Sequence, residues 1–186
     1  MRIISGDLKG KKIKYIKSDK TRPLRDFVKE NIFNVIQHSN LIDVQIKGSE
    51  ILDLFSGIGS FGFECISRKA KKVVFLENDK SAKLTLQKNI EILSVKNKVE
   101  VVDQDVFTYL NIKGEIKYDI IFLDPPYAHQ ELIKCLDLIK EFKFLKKKHL
   151  IIIHRESSNS EEFEKKFHKI FYKKYGRSKI YFGSFI

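Results

Sequence analysis

Apolar residues in the middle of this 186-residue chain fall into short dense blocks, separated by stretches where they recur every three or four positions. EILDLF (50–55), KVVFLE (72–77), KVEVVD (98–103), YDIIFLD (118–124) and HLIIIHR (149–155) are near-continuous in Val, Ile, Leu and Phe, which predicts strands buried on both faces. SFGFECISRKA, KSAKLTLQKNIEILSV, VFTYLNI and QELIKCLDLIKEF between them carry the helical period. Strand and helix in alternation predict an α/β fold: a doubly wound, mainly parallel sheet with right-handed crossovers and helices on both faces. The ends depart from that pattern. RIISGDLKGKKIKYI predicts a hairpin around Asp7–Gly10. Thr21-Arg22-Pro23 then reads as a helix start, Thr21 capping and Pro23 in the first turn of LRDFVKENIFNVI. HKIFYKKYGRSKIYFGSFI predicts an antiparallel hairpin at one sheet edge, turning at Tyr175–Ser178. The expected organisation is an N-terminal hairpin-and-helix extension, residues 1–40, packed on a core domain, residues 41–186.

Composition narrows the class. With 42% hydrophobic residues the chain can bury a sizeable core as one domain. No apolar run approaches the roughly 20 residues that span a bilayer, and the start MRIISGDLKGKK has no signal-peptide core. Cys65 and Cys135 lie far apart within apolar helical patterns, which predicts core thiols in a reducing cytoplasm. The five histidines lack metal-ligand spacing, so no metal is expected.

The net charge of +12 is unevenly spread. Residues 1–30 carry ten Lys and Arg against four Asp and Glu (+6), and residues 140–186 carry thirteen against five (+8). Residues 31–139 carry thirteen against fifteen (−2). Two basic ends around a mildly acidic middle suit a nucleic-acid-binding rim around a catalytic centre. A merely solvated lysine-rich surface is the plainer explanation of the same counts.

In DLFSGIGSFGFE, Gly57, Gly59 and Gly62 match G-x-G-x-x-G between a predicted strand and a predicted helix. Glu77 closes the next strand twenty residues after Gly57, where an acid accepts ribose hydroxyls. Together these predict a ribose-bearing cofactor. Asp53, just before the loop, can face a cationic amino-acid moiety but would repel a pyrophosphate, which favours S-adenosylmethionine over NAD. Asp105, in DQDVF, can accept from an adenine amino group; helix capping is the competing role for Asp105 and the assigned one for Asp103.

IIFLDPPY (120–127) holds two of the three prolines directly behind an apolar run. Proline lacks an N–H and pushes its predecessor towards extended geometry, so the strand should end with unsatisfied carbonyls facing outward. The fourth strand should lie beside the first, which places Asp124, the Pro125 carbonyl, Pro126 and Tyr127 next to the cofactor. A carboxylate and a carbonyl can accept both protons of an NH₂ group while Tyr127 stacks on a flat heterocycle. That constellation fits methyl transfer to an exocyclic amine.

In order and spacing, MRIISGDLKGKKI, TRPLRDFVKENIFNVI, ILDLFSGIGSFGFECISRKA, FLEND and DIIFLDPPY resemble the RsmD-like family of bacterial 16S ribosomal RNA guanine-N2 methyltransferases. The resemblance covers almost the whole chain and is weakest over 140–170. It implies a class I methyltransferase fold, a seven-stranded Rossmann-like sheet, with S-adenosylmethionine as donor. The implied acceptor is a guanine N2 amine in 16S rRNA. The limited recognition surface of so short a chain predicts an assembled or assembling small subunit as the substrate, and a monomer is expected. By position, Asp53 with Phe55, Ser56, Gly57 and Gly59 match the methionine-side contacts, Glu77 and Asn78 the ribose contacts, and Asp105 and Val106 the adenine contacts. Asp124, Pro125, Pro126 and Tyr127 match the catalytic tetrapeptide. Arg22, Arg25, Tyr127 and Arg177 are candidate substrate contacts. Leu24 stands where the family usually has Thr, Lys29 where Arg is common and Lys69 where Gly is common. His154-Arg155 closes the fifth strand where an acid is expected. Rival activities are adenine-N6 methylation of DNA, nicotinamide-dependent oxidoreduction and non-catalytic RNA binding. The length leaves little room for a DNA-recognition region, Asp53 and DPPY disfavour NAD, and a scaffold need not keep Gly57, Glu77 and Asp124.

Overall fold

The computed structural model of the protein describes residues 1–15, 24–112, 116–125, 129–156 and 162–185. All five predicted core strands form: β1 (Glu50–Leu54), β2 (Lys72–Leu76), β3 (Val99–Val102), β4 (Tyr118–Leu123) and β5 (Leu145–Glu156). The predicted C-terminal hairpin supplies β6 (Lys169–Tyr175) and β7 (Ser178–Ser184). Helices α1 (Asp26–His38), α2 (Ser60–Ser67), α3 (Lys80–Leu93), α4 (Val106–Leu110) and α5 (His129–Glu141) fill the intervals. The sheet has seven strands in the order β3-β2-β1-β4-β5-β7-β6. β1 to β5 are mutually parallel, and β7 and β6 add antiparallel.

Alternation along the strands divides the core in two. Ile51, Val73, Phe75, Ile120, Phe122 and Ile152 face α1, α2 and α3; Leu52, Leu54, Val74, Ile121, Leu123 and Ile151 face α4 and α5. That division explains why these strands read as unbroken apolar runs: each residue has a helix layer to bury against. On the first side Phe61 stacks on Phe122, with ring centroids 4.1 Å apart, and on Phe33 of α1, 5.3 Å apart.

The N-terminal segment is held to the core by polar groups. Glu64 of α2 is fully buried; its carboxylate accepts the N–H groups of Ile4 (2.8 Å) and Ser5 (2.9 Å) and pairs with Arg68 Nε at 3.1 Å. Lys29 of α1, also fully buried, donates to the Arg2 carbonyl (2.8 Å) and lies 4.0 Å from Glu64 and 3.6 Å from Asp26. A buried charge survives only when satisfied in this way.

The predicted hairpin around Asp7–Gly10 is a short antiparallel reversal: Arg2 bridges Lys12, and the N–H groups of Ile3, Gly10 and Ile13 donate across it to the Lys11, Ile3 and Met1 carbonyls, while those of Ile4, Ser5, Asp7 and Leu8 donate to Glu64 and Ser67 of α2. The start of α1 is corrected. Helix α1 begins at Asp26 after an extended Arg25, so its first turn carries Asp26 against the positive helix end. The predicted start at Thr21-Arg22-Pro23 therefore does not belong to that turn, and those three residues lie outside the described ones.

Candidate active site

Strand register levels the carboxyl edge of the sheet. Leu54 pairs with Leu76 on one side and Leu123 on the other, and Leu123 pairs with Ile153. The next residues in each strand, Phe55, Glu77, Asp124 and His154, therefore emerge in one row. β1 is where the strand order reverses, its neighbours being β2 and β4, and such a switch point opens a crevice above the sheet. A cavity of about 960 Å³ occupies that crevice, at the upper end of the roughly 300–1,000 Å³ usual for ligand sites.

Over β1 to β3 the cavity is lined by Asp53, Phe55–Ile58, Glu77, Asn78, Asp105 and Val106. Phe55 sits in the left-handed region at φ 58°, uncommon for a bulky residue and worth roughly 1–2 kcal/mol of strain. Ser56 holds the loop in place, its N–H (3.0 Å) and hydroxyl (3.1 Å) both donating to the Leu76 carbonyl. The glycines have different tasks. Gly57 (φ 55°) has open space where a Cβ would stand, so its backbone is bare to the cavity. At Gly62 a Cβ would lie 2.2 Å from the Phe75 ring, so that glycine lets α2 pack on β2.

The acids of this half are fixed by the backbone. Glu77 accepts from Gly57 N–H at 2.6 Å and from Asp79 N–H at 2.8 Å, joining the glycine loop to the end of β2. Burial raises its pKa against the opposing pull of those N–H groups. Asp53 is 1% exposed and accepts from Gly62 N–H at 3.0 Å. Burial drives its pKa well up, Gly62 opposes, and the nearby Asp124 and Glu77 charges add to the rise. Asp105 both lines the cavity and caps α4, accepting from Thr108 N–H at 2.9 Å. Asp103, expected to cap, instead pairs with Lys83 of α3; the cap falls to Asp105 because it directly precedes the helix. Acids at these places, a bare glycine backbone and a curved apolar floor fit a nucleoside with a cationic amino-acid arm.

Beyond β1 the cavity continues past Phe122, Asp124 and Pro125 to Arg25 just before α1, Phe27 of α1, His154–Glu156 of β5 and Tyr175–Ser178 of the hairpin turn. Asp124 Oδ1 meets His154 Nδ1 at 2.9 Å, and His154 Nε2 meets Ser178 Oγ at 3.0 Å. The carboxylate is acceptor-only when ionised, which assigns the Nδ1 proton to the imidazole. Burial pushes the His154 pKa down, but the Asp124 charge and hydrogen bond outweigh it and the net shift is upward. His154 is the partner that sequence reasoning did not find; it entered only as a departure from an expected acid. The signal was present in two parallel strings, YDIIFLD and HLIIIHR, whose apolar runs align to put Asp124 beside His154. Arg25 and Arg177 do line the cavity, whereas Arg22, Pro126 and Tyr127 lie outside the described residues.

Residues 1–184 match the family described as Conserved hypothetical protein 95. The chain belongs to that family. It is 39% identical over 159 residues to a Buchnera aphidicola protein named Ribosomal RNA small subunit methyltransferase D, covering 85% of this chain and 79% of that one. A Haemophilus influenzae protein of the same name is 37% identical over 158 residues, covering 84% and 79%. A solved Escherichia coli chain, provisionally described as a methyltransferase, superposes with a TM-score of 0.83 at 26% identity over 100% of this chain and 98% of that one. The family resemblance drawn from the motifs therefore holds, as does the class I methyltransferase fold. Within the family, this member's Lys29 is the buried cation described above. Its Lys69 adopts φ 70°, the left-handed conformation that Gly takes most readily after a helix. Among the described residues no cluster of three or more His, Cys, Asp and Glu could hold a metal, and no helix is long and apolar enough to cross a membrane.

Proposed function

We propose that the protein transfers a methyl group from S-adenosylmethionine to the exocyclic N2 amine of a guanine in 16S ribosomal RNA. The observation that carries this reading is the single cavity in which Asp53, Gly57 and Glu77 at one end face Asp124 and Pro125 at the other. The names of the relatives support an RNA acceptor.

When bound, S-adenosylmethionine supplies an electrophilic methyl on a sulfonium centre, so the transfer needs no covalent enzyme intermediate. Asp53 receives the cationic amino-acid end, with Phe55, Ser56, Gly57 and Gly59 shaping the loop around it. Glu77 and Asn78 hold the ribose, and Asp105 and Val106 hold the adenine. Asp124 and the Pro125 carbonyl accept the two amine hydrogens, which turns the nitrogen lone pair toward the methyl and stabilises positive charge as it develops. Methyl transfer would yield the N2-methylated amine and S-adenosylhomocysteine, and the surplus amine proton would pass to solvent along the hydrogen bonds held by Asp124 and the Pro125 carbonyl. Pro126 denies the turn a competing N–H, and Tyr127 stacks on the base. The base must leave its stack to reach Asp124, at a cost of a few kcal/mol that is smallest in a loop or junction. Arg22, Arg25 and Arg177 take the phosphates around it. The enzyme acts as a monomer on an assembled or assembling small subunit.

The deciding experiment is transfer of labelled methyl from S-adenosylmethionine to under-modified small subunits, followed by nucleoside analysis. Label in N2-methylguanosine is the expected result. Label absent from RNA while the cofactor still binds would reject the RNA acceptor and favour DNA adenine. Asp124→Ala should retain cofactor affinity and lose transfer; loss of cofactor affinity would assign Asp124 to the other ligand.

A further inference from the structure

We propose that Phe27 and Tyr175 form a stacking subsite for a second nucleobase, adjacent to the one presented to Asp124. The inference rests on the reading of the cavity as a methyl-transfer site on RNA. Phe27 lies on α1, whose inward residues Val28, Ile32, Phe33 and Ile36 are all buried, yet Phe27 itself is 65% exposed. It belongs to neither core cluster. Its ring meets Tyr175 at 86° with centroids 6.0 Å apart, and both residues line the cavity that contains Asp124.

An edge-to-face pair occupies one face of one ring at most, and with Phe27 so exposed the pair leaves aromatic surface open to a flat ligand. The two come from distant parts of the chain, the start of α1 and the end of β6, and each stands two residues from an arginine that also lines the cavity. Arg25 precedes Phe27 and Arg177 follows Tyr175. Aromatic faces flanked by guanidinium groups are the recurring device for holding single-stranded nucleic acid, the rings taking bases and the cations taking backbone. Glu156 is an acid on this rim, and it disfavours a phosphate directly over β5. An apolar protein partner would leave both guanidinium groups without counter-charge. A nucleotide supplies the plane and the charge together, and a neighbour of the flipped base arrives at this rim because it is covalently tied to it.

The test measures binding of a single-stranded RNA carrying 2-aminopurine, by fluorescence quenching, alongside methylation kinetics on under-modified small subunits. Phe27→Ala and Tyr175→Ala should each weaken RNA binding about tenfold, with loss of quenching and a larger effect on KM than on kcat. Phe27→Leu, which keeps apolar volume and guards against a folding defect, should also lose the quenching, and Phe27→Trp should restore it. Leu84→Ala, a change at an exposed apolar residue on α3, should leave affinity unchanged. Undiminished quenching and affinity in Phe27→Leu, with the fold intact by circular dichroism, would overturn the subsite. Failure of wild-type protein to methylate small subunits while the quenching results hold would reject the methyl-transfer reading and leave the stacking subsite standing.

Discussion

His154 ties the proposed catalytic carboxylate to a titratable group. Its imidazole touches Asp124 and Ser178, with the Arg155 charge nearby opposing protonation. The pKa is raised in the folded protein, so the imidazolium–Asp124 pair stabilises the fold fully below the ordinary histidine value of about 6.5 and loses that contribution as pH rises through the raised pKa. Activity should follow the opposite sign, because an imidazolium against Asp124 works against positive charge developing on the amine. At saturating donor, kcat should rise as His154 deprotonates. His154→Asn, whose amide nitrogen stands near the Nδ1 position, should keep a donor to Asp124 and flatten that limb; an unchanged limb would assign the titration elsewhere. Asp53 gives a second pH signature. Burial holds its carboxyl toward the protonated form, and an arriving cation favours the charged form. S-adenosylmethionine binding should therefore release protons and tighten with rising pH. Calorimetry in buffers of different ionisation enthalpy reads this directly, and a buffer-independent enthalpy would remove Asp53 from the cation.

At the scale of elements, the β1–α2 turn separates two kinds of glycine effect. Gly62→Ala forces a methyl against Phe75 and Val73, and overpacking of that kind costs about 1–3 kcal/mol. Thermal melting should show the loss, with cofactor affinity changed little among the molecules still folded. Gly57→Ala meets no atom, so its penalty is backbone strain of roughly 1 kcal/mol together with a methyl projecting toward the cavity; cofactor affinity should fall more than the melting temperature. Equal effects of both substitutions on melting would mean the two positions are not distinguished in this way. The strands and this turn were legible in the sequence because apolar runs buried on both faces leave little ambiguity of period. The start of α1 was not. Thr21 and Pro23 are good local signals, but Asp26 in the first turn and the buried Lys29 fix the register of that helix through contacts as far as Glu64. The reversal at Asp7–Gly10 was legible from its glycines, but its docking was not, since some of its N–H groups bond across the turn and others to side chains and carbonyls of α2. His154 was missed because its meaning depends on register between β4 and β5, which no single stretch of sequence carries.

The whole molecule sets its proposed cofactor half over β1 to β3 and its proposed acceptor half against α1, β5 and the C-terminal hairpin, which carries much of the basic excess of the chain's end. Lys169, Lys173 and Lys174 are exposed along β6, the outer strand of the sheet, where they also discourage pairing with another edge. Affinity for RNA should fall steeply with salt, the logarithmic slope shrinking by about 0.7–0.9 for each lysine lost from a phosphate contact. Charge of this kind holds a backbone without selecting a sequence, so selection of one guanine must draw on the shape of its surroundings. Assembled small subunits should therefore be methylated faster than naked 16S rRNA, and equal rates would place the specificity in the RNA sequence itself.

The clasp of Glu64 on Ile4 and Ser5 also has a consequence in time. A chain made from its amino end exposes those two N–H groups roughly sixty residues before their carboxylate exists. At about 5–20 residues per second that interval is on the order of 3–12 s. During it the first strap has nothing to dock on, and even after α2 appears the far wall still awaits the hairpin. Synthesis therefore completes the proposed donor half of the crevice before β5 and the hairpin of the proposed acceptor half, so a nascent chain arrested before Tyr175 should bind the methyl donor while lacking the wall proposed to hold RNA.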